Sequence, residues 1–311
     1  MPTDVILDVD TGVDDALALL FAARHPGLRL RAVTCVDGNV GVDRVVRNTL
    51  AVLETAGRSE VPVARGAERP LLSPVLDARG VHGAGGLGGV EVPEPSTRAV
   101  PGNAVELLRR TIMETPGEVT VIALAPLTNL ALLFRTHPET AAAVKHVMFM
   151  GGSIGAGNTT AGAEFNIWHD PEAAGIVLDS GAALTMYGLD VFYQVTVDDT
   201  GIKRLSEGDA ASRLAAGLLN GRVGSWRQES RIADPGAACV GDAGAVCAVA
   251  DPAGLQTRRT DVHVSLAPGP TRGMTLADMR TSPQGRPMGE TDPLGTWPAE
   301  VAVAVDGSRY R

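Results

Sequence analysis

Residues 5–24, VILDVDTGVDDALALLFAAR, decide the fold. Val5-Ile6-Leu7 is a short all-apolar run, as expected of a strand buried on both faces. From Asp14 to Arg24 the sequence reads as a helix with acids in its first turn, where the helix dipole favours them. A buried strand feeding directly into a helix is the first half of a βαβ unit, and the pattern recurs downstream. Further strands are expected at 31–36, 61–63, 119–124, 147–150 and 184–187. Helices are expected at 42–56, ended by Gly57, and at 104–114, 127–134 and 172–178. This alternation predicts one α/β domain over residues 1–311, with an open, mostly parallel β-sheet flanked by helices in a Rossmann-like core. Beyond Asp190 the pattern is less regular. It suggests one or two helices over 212–231, a helix over 242–250, a half-exposed strand near Val262, Val264 and Leu266, and a last strand at 301–305. Residues 66–102, rich in Gly and Pro, read as a long functional loop.

Composition narrows the function. The 311 residues are 44% hydrophobic and 20% charged, a globular mix that rules out disordered, collagen-like and coiled-coil readings. A net charge of -9 argues against nucleic acid and anionic membrane surfaces as partners. Cys35, Cys239 and Cys247 are odd in number and form no C-x-x-C pair, which suits reduced, buried thiols. The start of the chain carries neither a basic segment nor a long apolar one, and no apolar run approaches the ~18 residues of a spanning helix. A cytoplasmic location is expected.

The chemistry concentrates in Asp8-Val9-Asp10-Thr11-Gly12-Val13-Asp14-Asp15, four carboxylates in eight residues at the end of a buried strand. Ligands of open parallel sheets bind at such carboxyl ends. Crowded carboxylates repel one another, and a hard divalent cation offsets that repulsion. The alternative is helix capping plus a solvated acidic loop. Four acids at one strand end favour the metal. Other strand ends add polar groups: Asn39, the run 124–129 with Asn129, the Met150-Gly151-Gly152 run leading to Glu164 and Asn166, Asp190, and Asp242 at the head of a late helix. Singly, Asn39 and Asn129 read as turn residues. Their repeated placement at one sheet edge raises their weight.

Two glycine motifs are weaker. Residues 83–88, GAGGLG, match G-x-G-x-x-G but are not followed by a helix. Residues 151–155, GGSIG, match G-x-S-x-G after a strand, so Ser153 with the late His263 keeps a serine hydrolase open as an alternative. There is no P-loop, and the six histidines show no zinc-ligand spacing.

Taken together, DVDTGVDDALALL (8–20), DGN (37–39), VHGAGGLG (81–88), ALAPLTNLALL (123–133), MFMGG (148–152), AEFNIWHDPEAA (163–174) and GLDV (188–191) resemble the inosine–uridine-type nucleoside hydrolases, in family order over most of the chain. The resemblance implies hydrolysis of the N-glycosidic bond of a ribonucleoside to ribose and free base by a calcium-dependent enzyme, a homodimer or homotetramer. Asp10, Asp15 and Asp242 match the Ca2+-binding carboxylates, and the Leu124 carbonyl matches a main-chain ligand. Asp10 also matches the general base for the attacking water. Asp14, Asn39, Glu164 and Asn166 match ribose-hydroxyl contacts, with Met150 lining the sugar pocket and His82 and Asn158 at pocket loops. Such a bond breaks through an oxocarbenium-like state, which anionic oxygens around the ribose stabilise.

One departure stands out. Where many relatives carry a His-Asp pair, this chain has Gly241-Asp242. The metal carboxylate is kept and the leaving-group acid is absent, a group contributing typically ~10²–10⁴-fold. Either another group serves, with Trp226 or Arg227 as base contacts, or the substrate has a better leaving group. A further alternative is a catalytically weak nucleoside- or ribose-binding protein.

Overall fold

Strand β1 (Thr3–Val9) lies inside a nine-stranded sheet with every residue after Thr3 buried. The computed structural model describes residues 1–310 apart from 77, 226–230, 233, 235 and 281–296. After β1 come α1 (Val13–Arg24), β2 (Leu28–Cys35), α2 (Val42–Thr55) and β3 (Val63–Arg65). A short α3 (Arg79–His82) and α4 (Ala104–Glu114) lead to β4 (Thr120–Ala123). Then follow α5 (Thr128–Thr136), α6 (Glu139–Ala143), β5 (His146–Met150), α7 (Phe165–His169), α8 (Pro171–Leu178) and β6 (Leu184–Tyr187). An excursion through α9 (Leu189–Phe192), β7 (Thr196–Val197), α10 (Asp199–Ser206), α11 (Ala210–Ser225), β8 (Ala238–Cys239) and α12 (Ala243–Ala250) precedes β9 (Leu255–Val264), β10 (Thr275–Ala277) and β11 (Pro298–Val305).

The sheet order is β10-β9-β11-β6-β5-β4-β1-β2-β3. Strands β1 to β6 pair in parallel, and β11 joins β6 in parallel too. Among the described residues, the β9–β10 and β9–β11 pairings are the only antiparallel ones in this sheet. The open, mostly parallel sheet expected from the alternation is therefore present. Its strand order reverses between β1 and β4, which opens a crevice at their carboxyl ends. Alternation along β1 feeds two cores. Val5, Leu7 and Val9 pack with α1, α2, α11 and α12, while Ile6 packs on the other face with α4, α5 and α8.

Departures from the sequence expectations have physical causes. Strand β2 starts at Leu28, three residues earlier than the apolar pattern suggests. Arg29 and Arg31 interrupt that pattern, yet both bond to the buried Asp4 at the start of β1, Arg31 at 2.7 Å. Strand β9 starts at Leu255, because its charged first half belongs to a partly exposed stretch. Helices α3, α6, α7 and α9 span five residues or fewer, too short for a 3.6-residue period to register.

Candidate active site

The crevice between β1 and β4 gathers residues from many strand ends. Asp10 follows β1, Asp14 and Asp15 sit in the first turn of α1, and Asn39 follows β2. Leu124 follows β4, Met150 ends β5, Glu164 and Asn166 open α7, and Asp242 precedes α12. With His82 and Asn158, all of these except Asp15 line one cavity of 470 Å³, and Asp15 is fully buried. The sequence reading brought these residues together by motif, and the fold brings them together in space.

Hydrogen bonds fix the carboxylates. Asp15 accepts the N–H groups of Gly12 (2.9 Å) and Asp10 (3.2 Å), so it also holds the start of α1. The capping alternative is thus satisfied by a residue that remains in the acidic cluster. Both Asp10 oxygens accept from Asn39, through its backbone N–H at 2.7 Å and its side-chain amide at 3.1 Å. That amide also reaches Asp15 at 3.3 Å. His82 Nδ1 accepts the Val13 N–H at 3.2 Å and lies 3.9 Å from Asp14 Oδ1. These approaches demand small neighbours. A Cβ on Gly38 would fall 2.1 Å from Asp10 Oδ2, and one on Gly12 2.4 Å from His82 Nδ1.

Opposite, Glu164 accepts the N–H groups of Asn166 (2.9 Å), Gly152 (3.0 Å) and Ile167 (3.1 Å). Asn166 donates to the carbonyls of Leu124 (3.0 Å) and Met150 (3.1 Å), tying the ends of β4 and β5 to α7. Asn158 is exposed and accepts the Phe165 N–H at 2.9 Å.

Asp14, Asp15 and Asp242 each offer a carboxylate oxygen within 4.8 Å of the others, and all three are buried. Ligands on opposite sides of a calcium ion at ~2.3–2.6 Å lie about 5 Å apart, so this spacing fits inside such a shell. Burial and the charges of Asp15 and Asp14 push Asp10 well above the usual carboxylate range. Burial, then Asp14, raises Asp15 to about 7, and burial raises Glu164 to about 7. A divalent cation would offset the charge repulsion at Asp10 and Asp15, whereas Glu164 is raised by burial alone.

Several candidates take other places. Asp8 faces the α5 side, where its Oδ1 accepts from Thr34 (2.5 Å) and Asn129 (2.8 Å), and it does not line the cavity. Asn129 also donates to the Cys35 carbonyl (3.0 Å) and accepts the Ala67 N–H (2.9 Å), so it ties three strand ends together. Asp190 accepts the Ile154 N–H at 2.8 Å and shapes the loop after β5. Ser153 is 2% exposed and outside the cavity lining, its hydroxyl accepting the Gly155 N–H. That is a poor position for a nucleophile. Trp226 and Arg227 lie outside the described residues. Gly241 adopts φ +61°, a left-handed conformation that favours glycine. The sequence reading missed Phe165, Phe192 and Tyr193, which line the cavity. The aromatic pair directly after GLDV was the available signal.

A model of the family described as inosine-uridine preferring nucleoside hydrolase matches residues 5–311. The chain belongs to the inosine-uridine preferring nucleoside hydrolase family. It is 43% identical over 221 residues, 71% of each chain, to the pyrimidine-specific ribonucleoside hydrolase RihA of Salmonella arizonae. It is 43% identical over 222 residues, again 71% of each chain, to the RihA of Citrobacter koseri. The plant nucleoside hydrolase PpNRh1 superposes with a TM-score of 0.91 at 32% identity, over 99% of this chain and 96% of that one. The purine-preferring ribonucleoside hydrolase from Gardnerella vaginalis superposes at 0.88 with 29% identity, over 99% and 95%. This nucleoside hydrolase therefore acts on small-molecule ribonucleosides, and its buried aspartates can hold a metal ion. No helix among the described residues is long and apolar enough to cross a membrane.

Proposed function

We propose that this ribonucleoside hydrolase is calcium-dependent, uses Asp10 as general base, and binds ribose through Asp14, Asn39, Glu164 and Asn166. The observation that carries the reading is the buried trio Asp14, Asp15 and Asp242, with Asp10, Asp14 and Asp242 lining one cavity. Asp10, Asp15, Asp242 and the Leu124 carbonyl would hold the ion, with Asp14 close enough to share it. Calcium, when bound, offsets the carboxylates, orients the sugar hydroxyls and acidifies a water.

The residues divide the remaining work. Asn39 fixes both oxygens of Asp10, so the carboxylate is aimed before substrate arrives. Asp10 takes the proton of the attacking water. Asp14, Asn39, Glu164 and Asn166 hold ribose hydroxyls, with Met150 and the Asn158 and His82 loops closing the sugar pocket. Carboxylates on the cavity wall stabilise the positive charge that develops at C1′. Attack opposite the base inverts C1′. The identity to pyrimidine-specific relatives favours a pyrimidine ribonucleoside as substrate. A single domain over residues 1–311, a homodimer or homotetramer and a cytoplasmic location complete the reading, supported by the family membership.

The test is reducing-sugar release from uridine, cytidine, inosine, guanosine, adenosine and p-nitrophenyl riboside, with calcium and with EDTA. Calcium-restored turnover, highest on uridine or cytidine, is expected. Full activity after complete calcium removal would overturn the metal assignment.

A further inference from the structure

Gly241 offers no side-chain proton for a departing base, but a phenol stands on the cavity wall beside Asp242. Tyr193 follows α9, is 1% exposed, and lines the cavity with Phe192 and Asp242. The short β7–β8 ladder, extended by the Val240 N–H to the Val195 carbonyl at 3.0 Å, holds the 192–197 segment against 238–241. Cys239 Sγ adds a contact to the Phe192 carbonyl at 3.2 Å. The backbone around Tyr193 is therefore tied to the position where the acid is absent.

A cation holds the phenol. The Arg231 guanidinium lies 4.4 Å from the Tyr193 ring centroid and donates to its Oη at 3.2 Å. Arg231 is itself anchored on the Ala156 and Gly157 carbonyls at 3.2 and 3.3 Å, and Gln194 donates to its backbone carbonyl at 3.2 Å. Those anchors belong to the loop that carries Asn158 and to the residue next to Tyr193. A guanidinium donating to a phenol oxygen stabilises the negative charge that oxygen gains on losing its proton.

We propose that Tyr193 is the catalytic residue that protonates the leaving nucleobase, with Arg231 as its positioning residue. The inference rests on the hydrolytic reading above and adds the missing acid to it. As the C1′–N bond breaks, its electron pair passes to the base and the Tyr193 Oη proton passes to the base as well. Water forms the new C1′–O bond and its proton passes to Asp10. The phenolate beside Arg231 regains a proton from solvent while Asp10 releases one, so the sum is nucleoside plus water to ribose plus base.

The test compares the calcium-loaded wild type with Tyr193→Phe and Arg231→Lys, on uridine and on p-nitrophenyl riboside, whose leaving group needs no proton. Phenylalanine keeps the ring and its packing. Tyr193→Phe is expected to lower kcat on uridine by about 10²–10⁴-fold while kcat on p-nitrophenyl riboside holds. Arg231→Lys, which keeps the charge and loses the planar fork, is expected to lower kcat on uridine by a smaller factor with KM little changed. Equal losses on both substrates would mean that Tyr193 only shapes the pocket, and no loss on uridine would mean that it is idle. Either overturns the proposal. A wild type silent on both substrates would overturn the hydrolytic reading itself, and this proposal with it.

Discussion

Gly38→Ala places a methyl group against the proposed general base. The added Cβ falls 2.1 Å from Asp10 Oδ2 and 2.8 Å from its Cγ, where ordinary contact begins near 3.4 Å. The Gly38 backbone is outside the left-handed region, so alanine meets no torsional penalty and the effect is steric. The carboxylate must retreat by about 1 Å, which breaks the 2.7 Å bond from the Asn39 N–H. A hydrogen bond to a charged group contributes about 1.5–3 kcal/mol. A displacement of about 1 Å at a reacting group lowers the rate about 10²-fold, or about 2.7 kcal/mol of barrier. The two routes agree, so kcat/KM on the preferred ribonucleoside should fall about 10²-fold. The assay is initial-rate sugar release at saturating calcium. Gly41→Ala is the control, because nothing lies within 4 Å of its added Cβ, and it should keep full activity. Gly38→Ala within threefold of wild type, at equal folded fraction, would refute the placement of Asp10 as base.

Stability should depend on pH and metal together. Asp8 is raised to about 6 and Asp15 and Glu164 to about 7, by burial above all, while unfolded carboxylates titrate near ~4. The folded apo state therefore binds more protons than the unfolded one, and its stability falls as pH rises from ~4 to ~7. The melting midpoint in EDTA should drop across that window, and calcium should restore most at the alkaline end; a midpoint that climbs with pH in EDTA contradicts this. Asn129→Ala removes bonds to Asp8, to the Cys35 carbonyl and from the Ala67 N–H, and should cost about 3 kcal/mol in urea unfolding. A change below about 1 kcal/mol would mean that those groups find other partners. Ser153→Ala should leave kcat unchanged, and a loss above tenfold would revive the serine-nucleophile alternative.

Much of the fold was legible because it is local. A buried apolar run followed by an acid-started helix, repeated, dictates parallel strands joined by helices. The cluster at 8–15 pointed to the site for the same reason: like charges at a strand end need an explanation. Short helices such as α7 and α9 escaped because four or five residues carry no period. The bends that bring Phe165, Phe192 and Tyr193 to the cavity are set by tertiary contacts, so the aromatic pair after GLDV marks two of these residues but not their place on the wall.

By itself, then, the sequence determined the layered α/β plan, the carboxylate cluster and the glycine beside Asp242. Tertiary structure decided how the carboxylates divide. Asp8 and Asp10 are two residues apart, yet Asp8 is still inside β1 and turns toward Asn129, while Asp10 lies past the strand end and meets Asn39. Asp242, more than two hundred residues from the cluster in sequence, completes the trio because α12 packs beside α1. Tyr193 reaches the wall next to Gly241 for a like reason: the β7–β8 pairing joins two distant segments by backbone hydrogen bonds that side-chain identity does not encode.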